Sequence, residues 1–133
     1  MECVTSVSYA LLINGGKTKS FIPSRGLRQG DPLSPYPFIL SQDILSRIIE
    51  NQFNEGGLSG VKASIGSPTI THVMYADDIV MFSKATRNEA SNLNHCIEKY
   101  CKWSGQLVNR NKSGLYFSKH TQKPVIRSIK QLL

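Results

Sequence analysis

The sequence predicts an α+β domain that combines antiparallel β-hairpins with amphipathic helices. Three observations carry this. Short apolar runs rich in β-branched and aromatic residues flank turn signals at Asn14-Gly15-Gly16 and at Asp77-Asp78, which is the pattern of hairpins. Stretches beginning at Ser34 and Thr86 repeat apolar residues at helical spacing. Apolar residues make up 40% and charged residues 19% of the chain, a balance that favours a folded core over disorder.

In chain order, Val4–Ile13 is rich in strand formers, and Asn14-Gly15-Gly16 accepts the positive φ of a tight turn. Lys17–Pro23 then alternates polar and apolar residues, completing a first hairpin with Lys17 and Lys19 on one face. Gly26 and Gly30 punctuate the loop Ser24–Pro35, which also holds Arg25, Arg28 and Gln29. Such a loop lets backbone approach a ligand, and Arg28 and Gln29 can donate to phosphate or sugar oxygens; a plain connecting loop has the same composition. Ser34 is a good N-cap and Pro35 suits the first helical position. Phe38, Leu40, Ile44, Leu45, Ile48 and Ile49 then mark core positions of a helix ending near Glu50, with Asp43 and Arg47 spaced as a surface pair.

Val61–Ile65 suits a short strand and Gly66-Ser67-Pro68 a turn. Thr86 and Glu89 have capping-box spacing. Ala90, Leu93, Ile97, Tyr100 and Cys101 mark one helical face, stopped by Gly105. Asn109–Gly114 reads as a basic turn, Leu115-Tyr116-Phe117 as a strand, and Val125, Ile129 and Leu132 as one side of a last helix.

The chain centres on Val73-Met74-Tyr75-Ala76-Asp77-Asp78-Ile79-Val80-Met81-Phe82. Two adjacent carboxylates at a hairpin turn whose arms lie in a core repel each other. A divalent cation relieves that repulsion, since hard oxygen ligands suit Mg²⁺. Taken alone, a solvated Asp-Asp turn is the commoner meaning of such a pair.

Composition narrows the function further. With 133 residues the chain is one domain with a modest core. No apolar run approaches the ~18 residues of a membrane span, and the first residues lack the basic segment of a secretory signal. Cys3, Cys96 and Cys101 have neither zinc nor redox spacing and read as reduced, intracellular thiols. Residues 1–83 carry six Lys/Arg and seven Asp/Glu, whereas residues 84–133 carry ten Lys/Arg and two Glu. The basic half suits a phosphate backbone, or simply a soluble basic surface.

Arg25-Gly26-Leu27-Arg28-Gln29-Gly30-Asp31-Pro32-Leu33-Ser34-Pro35, followed roughly forty residues later by Tyr75-Ala76-Asp77-Asp78, resembles the reverse transcriptase domain of plant non-LTR (LINE-type) retrotransposons. The first stretch is similar to that family's motif B and the second to its catalytic motif C. Ser104–Ser113 is similar to motif D. The resemblance covers essentially the whole chain. It implies a partial polymerase palm over residues 1–133, antiparallel hairpins backed by helices, with residues 119–133 opening a thumb or connecting helix. It implies Asp77 and Asp78 as metal-site carboxylates, Asp77 ahead of Asp78 as the direct ligand, and Mg²⁺ or Mn²⁺ as cofactor. Arg28, Gln29 and Gly30 would face the incoming deoxynucleotide and template base. Tyr75 would lie near the primer end, and Lys112 would assist the leaving pyrophosphate. The implied partners are an RNA template and a DNA primer, with no membrane; the compartment, nuclear or organellar, is left open.

Two departures matter. Pro37 stands where such sequences carry a bulky apolar residue, and it is expected to bend or delay the helix start. The family's first motif, a strand bearing another catalytic aspartate, has no counterpart here. Glu2, Asp31 and Asp43 do not match it, so Met1 looks like an internal position of a longer frame. Two carboxylates cannot alone fix two ions about 4 Å apart around an in-line displacement. The expectation is a fragment that is inactive by itself, with an uncovered palm surface that favours self-association. A nucleic-acid-binding module without catalysis, a subunit completed by another polypeptide and a translated remnant without function are the alternatives.

Overall fold

The computed structural model describes residues 6–24, 30 and 32–133. The chain divides into two compact units, residues 1–41 and 42–133. Among the described residues there are three α-helices and three two-stranded antiparallel sheets.

In the first unit, β1 (Leu12–Ile13) pairs with β2 (Gly16–Lys17), Leu12 opposite Lys17 and Ile13 opposite Gly16. Asn14 and Gly15 both take positive φ, 48° and 81°, as a type I′ turn requires. The arms are much shorter than the sequence suggested. Beyond β1 and β2 the pairing is a single bridge, Tyr9 to Phe21, with the two rings 6.0 Å apart. The register between Leu12–Lys17 and Tyr9–Phe21 slips by one residue on the second arm, a bulge. The Thr18 hydroxyl accepts the Leu11 N–H there at 2.9 Å. Lys17 and Lys19 are both exposed, but the ladder that would enforce their alternation is interrupted between them.

Helix α1 spans Pro35–Asn54. It begins at the expected proline, so Pro37 does not delay it. Pro37 falls among the first positions, whose N–H groups have no intrahelical acceptor. The helix runs past Glu50 because its stop signal lies further on. The Gly57 N–H donates to Gln52 O and the Gly56 N–H to Phe53 O, at 2.9 and 3.0 Å. Gly56 has a φ of 76°. This is a Schellman motif, and it needs a residue tolerant of the left-handed region at Gly56. Of the expected core residues, Leu45, Ile48 and Ile49 are buried, but Leu40 and Ile44 are exposed. The buried positions of the helix all fall in its second half.

In the second unit, β3 (Val61–Lys62) pairs with β4 (Thr69–Ile70) across a turn in which the Ser67 N–H donates to Ser64 O. Strand β5 (His72–Tyr75) pairs with β6 (Asp78–Met81). Helix α2 spans Arg87–Ser104 and ends at Gly105 with a φ of 70°, as the sequence predicts. Helix α3 spans Lys123–Lys130. The core joins Leu45, Ile48 and Ile49 of α1 to Leu58 and to Leu93, Cys96 and Tyr100 of α2. Burying such side chains stabilises the unit by about 1.5–3 kcal/mol each.

The capping box at α2 forms only in half. Thr86 Oγ1 accepts the Glu89 N–H at 3.3 Å. The Glu89 carboxylate goes elsewhere, because the Thr86 N–H is already taken by Lys84 O. It accepts from the Ser59 hydroxyl at 2.7 Å, the Ser59 N–H at 3.0 Å and the Lys84 N–H at 2.9 Å. Partial burial disfavours its charged form, but these bonds outweigh it, and the carboxyl sits below its ordinary pKa. Leu115-Tyr116-Phe117 is not a strand. Strand propensity needs a neighbouring strand to pair with, and none among the described residues lies alongside.

Candidate functional site

The Asp-Asp pair lies where an unusually tight reversal presents it. Tyr75 pairs with Asp78, so Ala76 and Asp77 form a two-residue turn. Ala76 takes a φ of 50°. Two-residue hairpin turns demand positive φ at their first central residue, and a non-glycine residue adopts it at a cost of about 1–2 kcal/mol. Asp77 is therefore the second turn residue, and Asp78 is the first residue of β6 rather than part of the turn. Both are exposed.

The hairpin has two unlike faces. His72, Met74, Ile79 and Met81 are half-buried, and the last three pack on the helical core. Val73, Tyr75 and Val80 lie on the other face with Asp78, and Tyr75 is 82% exposed. The arms thus lie against the core on one face only, which narrows the expectation of arms that lie in a core. An isolated two-stranded ribbon has one covered side, and period-two alternation sends half its side chains outward.

A polar clamp holds the base of the hairpin. His72 Nε2 lies 2.8 Å from Ser46 Oγ of α1, and His72 Nδ1 lies 2.9 Å from Thr71 Oγ1. Thr71 is buried, and its carbonyl accepts the Phe82 N–H at 2.8 Å, extending the ladder below β5 and β6. Neutral imidazole offers one donor and one acceptor, and a hydroxyl can answer either. Sequence reasoning missed this clamp. The signal was present: alternation from inward-facing Met74 puts His72 on the same face, where a polar ring needs partners.

The remaining expected site residues are spread over the chain. Gly30 has a φ of 82°, and among the described residues a Cβ there would meet nothing within 4 Å. Arg28 and Gln29 lie outside the described residues. Lys112 is exposed on the turn after α2, where its N–H donates to Asn109 O at 3.1 Å. Among the described residues, no ion pair or hydrogen bond joins Lys112 to Asp77 or Asp78, and the one ion pair is Arg47 Nε to Asp43 Oδ2 at 2.7 Å. Among the same residues no group of three or more His, Cys, Asp or Glu side chains comes together around a metal position. As a donor set, two exposed aspartates fit one hard divalent cation that keeps several waters. They do not fit a pair of ions.

A family model described as reverse transcriptase (RNA-dependent DNA polymerase) matches residues 2–126. The chain belongs to the reverse transcriptase family. This reverse transcriptase domain is 49% identical over 67 residues to an uncharacterized mitochondrial protein of Arabidopsis thaliana, covering 50% of this chain and 55% of that protein. It is 34% identical over 71 residues to a retrovirus-related Pol polyprotein from a type-2 retrotransposable element of Drosophila melanogaster. That match covers 53% of this chain and 6% of the polyprotein. The reverse transcriptase domain thus spans about half of one relative it matches and a small part of the other. No solved structure matches it. Among the described residues, no helix is long and apolar enough to cross a membrane.

Proposed function

We propose that this chain is the part of a plant non-LTR retrotransposon reverse transcriptase palm that carries motifs B to D, and that it does not polymerise DNA by itself. The observation that carries the reading is the Asp77-Asp78 pair, exposed at the tip of a hairpin whose other face is anchored to a helical core. Asp77 is the direct metal ligand and Asp78 its neighbour. A bound Mg²⁺ or Mn²⁺ supplies Lewis-acid charge at the transferring phosphoryl group. The protein's own contribution is placement. The Ser46-His72-Thr71 clamp and the packed Met74, Ile79 and Met81 fix the hairpin base, so the carboxylates meet substrate without a large rearrangement. Tyr75, across from Asp78, offers an exposed ring to the primer end. By the family resemblance, Arg28, Gln29 and Gly30 serve the deoxynucleotide and its template base, and Lys112 the departing pyrophosphate. Residues 119–133 open the thumb, or the helix leading to it.

Incompleteness follows from the donor set. Among the described residues no third carboxylate joins the pair, and two adjacent aspartates hold at most one ion weakly. A further strand bearing an acid would complete the site. Metal-dependent primer extension on an RNA template tests this with folded, purified chain and an Asp77→Asn variant, beside Mn²⁺ binding followed by water-proton relaxation. Weak Mn²⁺ binding that is lost in the variant, with no extension from either protein, is expected. Extension that disappears in Asp77→Asn would overturn the incompleteness. Mn²⁺ binding indifferent to the substitution would overturn the metal role. A second reading, a nucleic-acid-binding module without catalysis, is favoured by the charge of residues 84–133.

A further inference from the structure

After Glu98 the chain carries eight Lys and Arg residues and no Asp or Glu through Leu133. Lys99, Lys102 and Lys112 are exposed. Two exposed aromatic residues fall in the same stretch of sequence. Trp103, near the end of α2, is 64% exposed, and Tyr116 is 98% exposed. Lys99 Nζ lies 5.1 Å from the centre of the Trp103 ring.

The stretch between them is held in place, although it has no regular structure after α2. The Tyr100 hydroxyl donates to Gln106 Oε1 at 3.1 Å. Arg110 donates to Asn94 Oδ1 at 3.2 Å and to the Leu133 carbonyl. Ser113 closes the turn on Asn109 O at 2.9 Å. These bonds tie the 106–113 stretch to α2 and to the chain end. They restrict the segment before any partner arrives, which lowers the entropy cost of binding.

An exposed indole and an exposed phenol in a stretch of exposed lysines suit one class of partner. A polyanion answers the charge, and exposed π-faces answer the rings. A duplex satisfies only the first, because its bases are already stacked. A single strand satisfies both. We infer that residues 99–119 form a contact surface for single-stranded nucleic acid, with Trp103 and Tyr116 stacking on bases and Lys99, Lys102 and Lys112 paired with phosphates. The inference rests on the reading that the chain handles nucleic acid, and it specifies the surface and the mode of contact.

Trp103 is the chain's one tryptophan, so its fluorescence reports on this surface alone. The test titrates the full chain with oligouridylate and with oligodeoxythymidylate of about 12 nucleotides, a length within the usual site size of single-strand binders. Saturable quenching is expected, and the tighter oligomer identifies the sugar preferred. Binding should weaken with salt. Lys99→Ala and Lys102→Ala should each reduce the log–log salt slope by about 0.7. With a labelled oligomer followed by anisotropy, Trp103→Ala and Tyr116→Ala should each weaken binding about fivefold or more and leave the slope unchanged. Trp103→Phe, which keeps a ring, should recover part of the loss. An absence of quenching, equal affinity for a duplex, or a change below about twofold in both aromatic variants would overturn the inference. Asp77→Asn keeps the two readings apart. Binding that survives in it while Mn²⁺ binding is unaffected refutes only the catalytic assignment. Binding indifferent to Trp103 and Tyr116 refutes only this surface.

Discussion

Replacing Glu89 is expected to weaken the second unit in a pH-dependent way. Its carboxylate accepts three hydrogen bonds, from the Ser59 hydroxyl, the Ser59 N–H and the Lys84 N–H, at 2.7–3.0 Å. It also sits in the first turn of α2, where negative charge is favoured by about 0.3–1 kcal/mol. A hydrogen bond to a charged group contributes about 1.5–3 kcal/mol when well buried. This site is only half-buried, and water replaces part of each bond once the side chain is gone. Glu89→Ala should therefore cost about 2 kcal/mol, and Glu89→Gln, which keeps one acceptor oxygen, about 1 kcal/mol. The folded carboxyl titrates below its ordinary value. Its contribution is thus complete above the unfolded pKa of about 4.3 and is lost as pH falls through the lower folded value. Urea unfolding followed by far-ultraviolet circular dichroism, at neutral pH and at roughly pH 3, reads the gap between parent and Glu89→Gln. A gap of the same size at both pH values, or a Glu89→Ala cost under about 0.5 kcal/mol, would refute the reasoning.

Two other substitutions probe the support of the site. Ile49, with 0% of its surface exposed, sits between the helices, and Ile49→Ala should destabilise by about 2–5 kcal/mol in the same urea assay. Ser46→Ala removes one partner of His72 and should loosen the hairpin by about 1 kcal/mol, seen as amide exchange at Val73 and Val80, a directly opposed pair, roughly fivefold faster while α2 is unchanged.

What the sequence made legible was punctuation. Asn14-Gly15, Pro35, Thr86 and Gly105 each carry their own conformational reason, and each stands where that reason puts it. What stayed hidden depends on neighbours. The α1 stop at Gly56-Gly57 follows a polar stretch that reads as loop until the Schellman bonds are seen. Glu89 has the spacing to cap its own helix, yet Ser59 and Lys84, distant or outside the motif, offer better donors. Leu115-Tyr116-Phe117 has strand propensity without a strand to pair with. At the site, the Asp-Asp turn was legible from the chain, whereas the Ser46-His72-Thr71 clamp spans 26 residues and depends on the tertiary fold.

Cys96 gives the core a built-in clock. Its side chain is 1% exposed, wedged among Leu45, Ile49 and Leu93 in the same cluster. Burial pushes its thiol above the ordinary pKa, and only a thiolate reacts readily. A small alkylating reagent therefore cannot modify Cys96 until α1 and α2 part. Cys101, half-buried on the same helix, supplies a faster thiol beside it. Resolved site by site in a peptide digest, which keeps Cys3 apart, the ratio of the Cys96 and Cys101 modification rates measures how often the scaffold beneath the aspartates opens, with no substitution made.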